Sequence, residues 1–151
     1  MPLREADADR LVGLLAEPLL REWLHAEDVG GLRDRFKHWE SGRSPDGRES
    51  WLNWIVSSRR DVTGLGWVQA TVSNGLAVIA YAILPSEQGR GVATEAVRAV
   101  TRWLHEQPGM TAVEATIDPE NRASQSVAAK AGFTPTGRVR AGEEVWLAAR
   151  V

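Results

Sequence analysis

The chain has 151 residues, of which 43% are hydrophobic and 25% are charged, with a formal net charge of −2 and a pI of about 5.9. This length predicts a single domain over residues 1–151, and the slight negative charge disfavours a broad nucleic-acid-binding surface. The sequence has no cysteine, which excludes disulfides, thiolate metal sites and cysteine nucleophiles. No apolar run approaches the roughly 18 residues of a membrane span, and the charged N-terminus lacks a signal-peptide core. We therefore expect a cytoplasmic protein without nucleic-acid or membrane partners.

The first 50 residues are predicted to be helical and then irregular. Leucines at helical spacing, together with Pro18 as a boundary, predict helices over 7–16 and 19–25. We expect Gly30-Gly31 to break the chain before a third helix over 32–40. The next ten residues, 41–50, are rich in Gly, Ser, Pro and charge and are predicted to form a loop.

After this loop the pattern changes to strands. Segments rich in Trp, Val, Ile and Thr predict strands over 51–58, 65–73 and 76–84. Asn74-Gly75 is typical of a tight hairpin, because both residues tolerate positive φ, and residues 59–63 are the other predicted turn. These three strands would form an antiparallel meander.

The second half alternates helices and strands. Apolar periodicity predicts helices over 94–106 and 121–131 and strands over 111–117, 133–139 and 144–149. A strand–helix–strand crossover favours a parallel, right-handed pair. Gly132 stands where a left-handed residue ends a helix. The predicted fold is α/β (α+β), with a mixed, largely antiparallel sheet of about six strands and helices on both faces.

A glycine-rich turn, 88–93 (Gln-Gly-Arg-Gly-Val-Ala), joins the third predicted strand to a helix. Backbone N–H groups can approach a ligand closely at glycine, and a helix start adds unpaired donors with partial positive charge. The turn is therefore predicted to bind phosphate or pyrophosphate, with Arg90 as a cation and Gln88 as a neutral donor. It is neither the dinucleotide G-x-G-x-x-G motif nor the nucleotide P-loop.

Two motifs in this order resemble the GCN5-related N-acetyltransferases. Gln88, Gly91 and Ala93 match the Q/R-x-x-G-x-G/A signature of that superfamily. The segment 118–124, Asp-Pro-Glu-Asn-Arg-Ala-Ser, and the segment 130–133, Lys-Ala-Gly-Phe, look like the N-x-x-S…K-x-G-F pattern of its RimJ/RimL branch. The order of predicted elements resembles the acetyltransferase fold from end to end.

This resemblance implies acetyl-CoA as cosubstrate and no metal. The strand ending in Tyr81, Ala82, Ile83 and Leu84 would pair its backbone with the pantetheine arm, and an N–H near Ile83 would stabilise an oxyanion. Asn121 would contact the pantetheine region, and Ser124 would donate to the leaving thiolate. The residues implied to hold the pyrophosphate are Gln88, Gly89, Arg90, Gly91, Val92, Ala93 and Thr94.

Several of these residues have a structural alternative. Asn121 is also a suitable helix cap, and Ser124 is also an ordinary first-turn residue. Arg90 alone would be a solvated charge. The five tryptophans of the first half have two interpretations. In the simpler interpretation they fill the core, and in the sharper interpretation two or three of them line an apolar acceptor pocket. These are Trp23, Trp39, Trp51, Trp54 and Trp67.

The sequence also departs from the superfamily pattern. Ala128 stands where many members have a tyrosine as general acid, and Val78 stands where some have a glutamate as base. The role of the only tyrosine, Tyr81, is open. The remaining base candidates are Glu114, Asp118, Glu143 and Glu144. The three histidines are far apart, with no i, i+4 pairing that would suggest a metal.

The predicted function is transfer of an acetyl group from acetyl-CoA to a primary amine by direct attack. The acceptor would be a protein N-terminus or a small molecule, contacted by residues 19–50 and 138–144. One alternative is a catalytically silent domain that binds or senses acyl-CoA, and another is a phosphate-binding regulatory domain that does not use CoA. A homodimer through the last strands is a further expectation.

Overall fold

The structure, a computed structural model, describes residues 1–60 and 63–150. The predicted turn at 59–63 lies partly outside the described residues. The helices are α1 (Ala8–Leu11), α2 (Pro18–Leu24), α3 (Val29–Glu40), α4 (Val92–His105) and α5 (Arg122–Lys130). Three 3-10 segments accompany them, at Glu5–Asp7, Val12–Ala16 and Pro85–Glu87.

The strands form one sheet in the order β1-β2-β3-β4-β6-β5. They are β1 (Ser50–Ser57), β2 (Gly64–Ser73), β3 (Leu76–Ile83), β4 (Ala112–Ile117), β5 (Phe133–Arg140) and β6 (Glu143–Ala148). Only the β3–β4 pair of this sheet is parallel; the other four pairs are antiparallel. Asn74 and Gly75 form the β2–β3 turn with φ of +50° and +78°. The predicted meander, parallel crossover and mixed sheet are confirmed.

The helices cover the two faces of the sheet and create two apolar clusters. Helices α1 to α3 pack against β1 and β2, and Leu11, Phe36 and Trp67 are buried there. Helices α4 and α5 pack on the other side, around Val97 and Val113. We call these sides the α1–α3 face and the α4–α5 face. Among the described residues, no helix combines the length and apolarity needed to cross a membrane.

The predicted helix over 7–16 is wrong as a continuous element. The chain there consists of α1 and the 3-10 segments on either side of it, although the inward-facing leucines are buried as expected. Gly13 weakens an α-helix at its centre, and the residue before Pro18 is restricted to an extended conformation. Glu17 has that conformation, with φ −90° and ψ 117°.

The predicted break at Gly30-Gly31 is also wrong, because both glycines lie in the first turn of α3. Asp28 caps this helix, and its Oδ1 accepts a hydrogen bond from the Gly31 N–H at 2.9 Å. A side chain at Gly31 would place its Cβ 3.3 Å from Ala26 Cα. The glycine therefore permits close packing at a capped helix start, where capping offsets its low helix propensity.

Candidate active site

A gap opens in the sheet between β3 and β4. Their parallel ladder extends only from Leu76–Ala112 to Ile79–Ala115, while β4 continues beside β6 as far as Ile117. A pocket of about 190 Å³ occupies the region beyond the last pair. The sheet is therefore interrupted at the carboxyl ends of two parallel strands.

The backbone of β3 presents unpaired groups to this gap. Leu84 N–H donates to Leu65 O at 2.8 Å, and Gly75 O accepts from Thr111 N–H at 2.7 Å. Since backbone groups alternate in direction along a strand, Tyr81 and Ile83 direct theirs towards β4. The ladder has ended there, so within the described residues the Tyr81 groups and the Ile83 N–H have no partner in β4. Tyr81 lines the pocket, whereas the Ile83 carbonyl oxygen accepts a hydrogen bond from Gln88 Nε2. The backbones of Ala82 and Leu84 turn towards β2 instead.

Gly66 allows β2 and β3 to pack closely at this point. It is the register partner of Ile83. A Cβ at position 66 would lie 2.2 Å from the Ala82 carbonyl oxygen and 2.8 Å from Ile83 Cα. Any side chain here would displace the strand whose Ile83 N–H faces the gap.

The pocket connects the two faces of the sheet. Because side chains alternate along a strand, the strand register and the two apolar clusters show on which face of the sheet each lining residue lies. On the α4–α5 face they are Ile79, Tyr81, Ala115, Ile117, Asn121 and Ser124. On the α1–α3 face they are Leu20, Trp23, Trp67, Ala80, Thr116 and Glu143. Asp118, directly after β4, lines it too, and among residues 1–60 and 63–150 no lysine or arginine does.

The start of α5 meets β3 across the gap. Asn121 Oδ1 accepts a hydrogen bond from Ser124 N–H at 3.0 Å, so the capping alternative for Asn121 is confirmed. Tyr81 Oη donates to the Ser124 carbonyl oxygen at 3.0 Å. Burial raises the pKa of Tyr81, and the proximity of Ser124 opposes that shift only in part. Tyr81 is therefore a neutral hydrogen-bond donor near Ser124. Side-chain alternation along β3 places Tyr81 on the α4–α5 face, where Ser124 lies.

The glycine-rich turn leads from the end of β3 to α4. Gly89 and Gly91 have φ of +75° and +79°, and a Cβ at either would meet no atom within 4 Å. Helix α4 begins at Val92, two residues before its predicted start at 94, and no side chain in the described part of the chain caps it. The first-turn N–H groups of Val92, Ala93 and Thr94 are thus available to an anion.

The two polar side chains of the turn, Gln88 and Arg90, both interact with other residues of the protein. Gln88 Nε2 donates to the Ile83 carbonyl oxygen at 3.1 Å. Arg90 forms an exposed ion pair with Glu87 at 2.6 Å. Gln88 therefore fixes the turn against the end of β3, and Arg90 keeps its guanidinium at the surface beside the glycines.

A cationic groove of about 670 Å³ adjoins Gly91 and Thr94. Arg59, Arg98, Arg102 and Lys130 line it. Arg98 and Arg102 follow Thr94 at i+4 intervals along α4, which places all three on one side, and the Arg98 guanidinium donates to the Lys130 carbonyl oxygen. The sequence analysis predicts only Arg90 as a cation of this site, although the i+4 spacing of Arg98 and Arg102 also indicates a cationic side of α4.

Two of the four base candidates lie away from the pocket. Glu114 is 4% exposed and binds Arg138 at 2.6 Å and Arg140 at 2.9 Å. Burial favours a raised pKa for Glu114, but these arginine hydrogen bonds outweigh it and the pKa is lowered. Glu144 is the register partner of Ile117, on the α4–α5 face, and does not line the pocket.

The other two candidates do line the pocket. The Asp118 carboxylate accepts a hydrogen bond from Glu120 N–H at 2.8 Å. Glu143, at the start of β6, is half-buried, and its carboxylate has no hydrogen-bond or ion-pair partner within 1–60 and 63–150. Glu143 and Asp118 are therefore the carboxylates nearest to the gap.

The tryptophans divide between core and pocket. Trp39 and Trp51 pack in the α1–α3 cluster, whereas Trp54 packs with the α4–α5 cluster. Trp23 and Trp67 line the pocket, with ring centroids 5.2 Å apart. Two of the five named tryptophans thus border the gap, and Trp67 is at the same time part of the α1–α3 cluster. That they line an acceptor pocket stays a prediction. In the described parts of the chain, no group of three His, Cys, Asp or Glu residues is arranged to hold a metal ion.

Comparisons with known proteins agree with this geometry. Residues 1–134 match the family described as Acetyltransferase (GNAT) domain. The chain is 28% identical over 148 residues to Probable N-acetyltransferase YjcK of Bacillus subtilis (strain 168), covering 92% of this chain and 81% of that protein.

Solved structures share the fold at lower identity. Mycobacterium smegmatis RimJ in complex with CoA-disulfide is 22% identical with a TM-score of 0.75, over 97% of this chain and 77% of that one. Aminoglycoside acetyltransferase AAC(6')-Ib with coenzyme A and kanamycin is 21% identical with a TM-score of 0.74, over 97% and 91% of the two chains. The chain belongs to the acetyltransferase (GNAT) domain family and is an acetyl-CoA-dependent N-acetyltransferase.

Proposed function

We propose that residues 1–151 form one catalytic domain that acetylates a primary amine inside the gap between β3 and β4. The observation that carries this proposal is the pocket that joins the two faces beside the backbone groups of Tyr81, beyond the end of the β3–β4 ladder. Acetyl-CoA supplies the acetyl group as a thioester, whose carbon–sulfur bond breaks as the amide bond to the amine nitrogen forms. Because the amine attacks directly, the chain needs no nucleophile of its own.

The α4–α5 face would hold acetyl-CoA. Gly89 and Gly91 leave the backbone of the turn open, and the uncapped N–H groups of Val92, Ala93 and Thr94 are donors for the pyrophosphate. The cationic groove along α4 fits the further phosphate of the nucleotide end. Backbone groups of Tyr81 and the N–H of Ile83 would pair with the amide-bearing arm, with Asn121 close by. Any role of Ala82 and Leu84 would fall to their side chains.

Groups at the gap would stabilise the negative charge of the transition state and transfer protons from the amine and to the thiolate. The N–H of Ile83 faces the region where the carbonyl oxygen becomes negative, and a fixed donor there stabilises the transition state. Ser124 and Tyr81 are the hydroxyls near the α5 start that can hold a proton for the departing sulfur. The acceptor ammonium must lose one proton before its nitrogen can attack, and that proton would leave towards Asp118 or Glu143, directly or through water.

The acceptor would approach from the α1–α3 face, where α2 and the start of β6 border the pocket. It is a peptide N-terminus or a small-molecule amine. We further propose a cytoplasmic location, which the cysteine-free sequence favours. The predicted homodimer would use the exposed side of β5, the edge strand of the sheet, and light scattering at defined protein concentration tests it.

The test of this proposal is acceptor-dependent release of CoA thiol, measured with acetyl-CoA and a panel of peptide N-termini, monoamines and polyamines. We expect release above the hydrolysis background with at least one primary amine. Binding of acetyl-CoA without release by any amine would instead support the silent acyl-CoA-binding alternative. Absence of acetyl-CoA binding would contradict the site assignment altogether.

A further inference from the structure

The side of the pocket on the α1–α3 face combines one carboxylate with two indole rings. Glu143 supplies the carboxylate, and Trp23 and Trp67 supply the rings. Trp23 is 45% exposed, and its ring is tilted against that of Trp67, which is 2% exposed. Trp23 is therefore the ring that a ligand can reach, and Trp67 supports it from the core. This side is therefore anionic and aromatic at once, a combination that suits an organic cation.

One feature indicates that a ligand completes this side. Within the described residues, the half-buried Glu143 carboxylate has no hydrogen-bond or ion-pair partner. Its register partner in β5 is Arg140, but that guanidinium binds Glu114 at 2.9 Å. The Glu143 carboxylate is therefore open to a cation that enters the pocket.

The charges and size of the pocket restrict the ligand. Among the described residues, its charged lining residues are Asp118 and Glu143, and its volume is about 190 Å³, part of which the acetyl group would occupy. Pockets for whole drug-sized ligands are about 300–1,000 Å³. On the α1–α3 face Glu143 is the one carboxylate of the described lining, beside apolar Leu20, Trp23 and Ala80. This side therefore matches one ammonium with a short apolar body and offers no partner to the other charges of a polycation.

We propose that Glu143 binds the ammonium of the acceptor and that Trp23 packs on its apolar body, so that the enzyme selects an amine with one cationic nitrogen attached to an aliphatic or aromatic group. This inference rests on the proposed function, since it places the acceptor in the same gap. Glu143 then fixes the nitrogen on the α1–α3 side of the Ile83 N–H. Asp118, on a turn after β4, remains free to take up the proton.

The chain offers a matched control for each residue. Glu144 is adjacent to Glu143 but belongs to the opposite face of β6. Trp103, at 42% exposure, is about as exposed as Trp23 and packs against Trp54 on the α4–α5 face. Glu144→Gln and Trp103→Ala therefore remove the same chemistry at positions outside the pocket.

The experiment is calorimetric titration of the CoA-saturated protein with 2-phenylethylamine as monoamine, and with spermidine and kanamycin as polycations. We expect 2-phenylethylamine to bind more tightly than either polycation. Glu143→Gln should weaken it about tenfold or more and Trp23→Ala about fivefold, with partial recovery in Trp23→Phe. Glu144→Gln and Trp103→Ala should leave its affinity unchanged.

Tighter binding of a polycation, equal effects of Glu143→Gln and Glu144→Gln, or no monoamine binding at millimolar concentration would each overturn this inference. The proposed function is tested separately, by titrating the protein with CoA before any amine is added and by measuring thiol release. A protein that binds CoA and acetylates only polycations keeps its proposed function and loses this inference. A protein that does not bind CoA loses the proposed function.

Discussion

Tyr81 Oη donates a hydrogen bond to the Ser124 carbonyl oxygen at 3.0 Å and thereby ties β3 to the first turn of α5 across the open part of the sheet. The superfamily position for a phenolic acid is Ala128 in this chain, and that side chain is buried in the α4–α5 cluster. A phenol nevertheless reaches the gap, from a strand instead of a helix. The missing helical tyrosine is therefore not an argument for an inactive protein.

Tyr81→Phe should lower kcat about tenfold or more while changing acetyl-CoA affinity little, because the ring keeps its packing and only the hydroxyl is lost. Unfolding should become easier by about 1 kcal/mol through the lost hydrogen bond. Steady-state kinetics and calorimetry check both values. Since burial raises the pKa of Tyr81 above its ordinary 10.0, the hydroxyl stays protonated and the loss should be constant between pH 7 and 9. An unchanged kcat would remove Tyr81 from the chemistry.

Ser124→Ala should lower kcat about tenfold while sparing acetyl-CoA affinity, because the hydroxyl is proposed to hold a proton near the sulfur. Ser126, an exposed residue of the same helix, supplies the control. Ser126→Ala should have the kinetics of the wild type. If the two alanine variants are equally active, Ser124 has no part in the reaction.

Ser124 and Tyr81 would serve the same proton, so their effects should not add. The double variant Ser124→Ala, Tyr81→Phe is expected to be about as slow as the slower single variant. Its kcat, measured beside both single variants, completes the cycle. A double variant whose loss equals the product of the two single losses would show independent roles.

Gly91→Glu should weaken acetyl-CoA binding at least about 100-fold, because a carboxylate would occupy the open cradle and repel the phosphates. Gly47→Glu is a matched control, since Gly47 has φ of +71° and open space around its Cβ position, in the loop before β1. Both substitutions introduce the same charge and similar backbone strain. Equal affinities of the two variants for acetyl-CoA would sink the pyrophosphate assignment.

Glu114→Gln should destabilise the fold by about 1–3 kcal/mol at neutral pH, because it removes a buried charge that binds Arg138 and Arg140. The lowered pKa of Glu114 means that its stabilisation is present above the ordinary value of 4.5 and is lost as pH falls through the folded value. Urea unfolding at pH 7 and below pH 4 should therefore show a large and then a small difference from the wild type. A difference that does not shrink on acidification would contradict the ionised pairing.

Local signals made most of the fold predictable from sequence. The Asn74-Gly75 turn, the β-branched strands and the glycine turn at 88–93 each act over a few residues, and each was assigned correctly in type. Some predicted boundaries are wrong because contacts with other residues determine the local structure. Asp28 caps a helix that includes Gly30 and Gly31 in its first turn. Helix α4 begins at Val92, directly after Gly91 in its left-handed conformation.

The candidate site was less predictable, because the pairing that builds it is long-range. Nothing near Glu114 in the sequence indicates that Arg138 and Arg140 neutralise it, and nothing near Glu143 indicates its place beside Trp23. The contact of Tyr81 with Ser124 joins residues 43 positions apart. The sequence offers four carboxylates as base candidates but does not show which of them reach the pocket. The register of β4, β5 and β6 is needed to distinguish those that line the pocket from those that do not.

The most direct test of the central claim, that the gap between β3 and β4 receives the acetyl donor, is backbone amide exchange with and without saturating acetyl-CoA. We predict slower exchange at Tyr81 and Ile83, at the first turn of α4, and at the start of α5, with no change in the loop around Gly47. Unchanged exchange at Ile83 and Val92, or protection confined to other parts of the chain, would contradict this account.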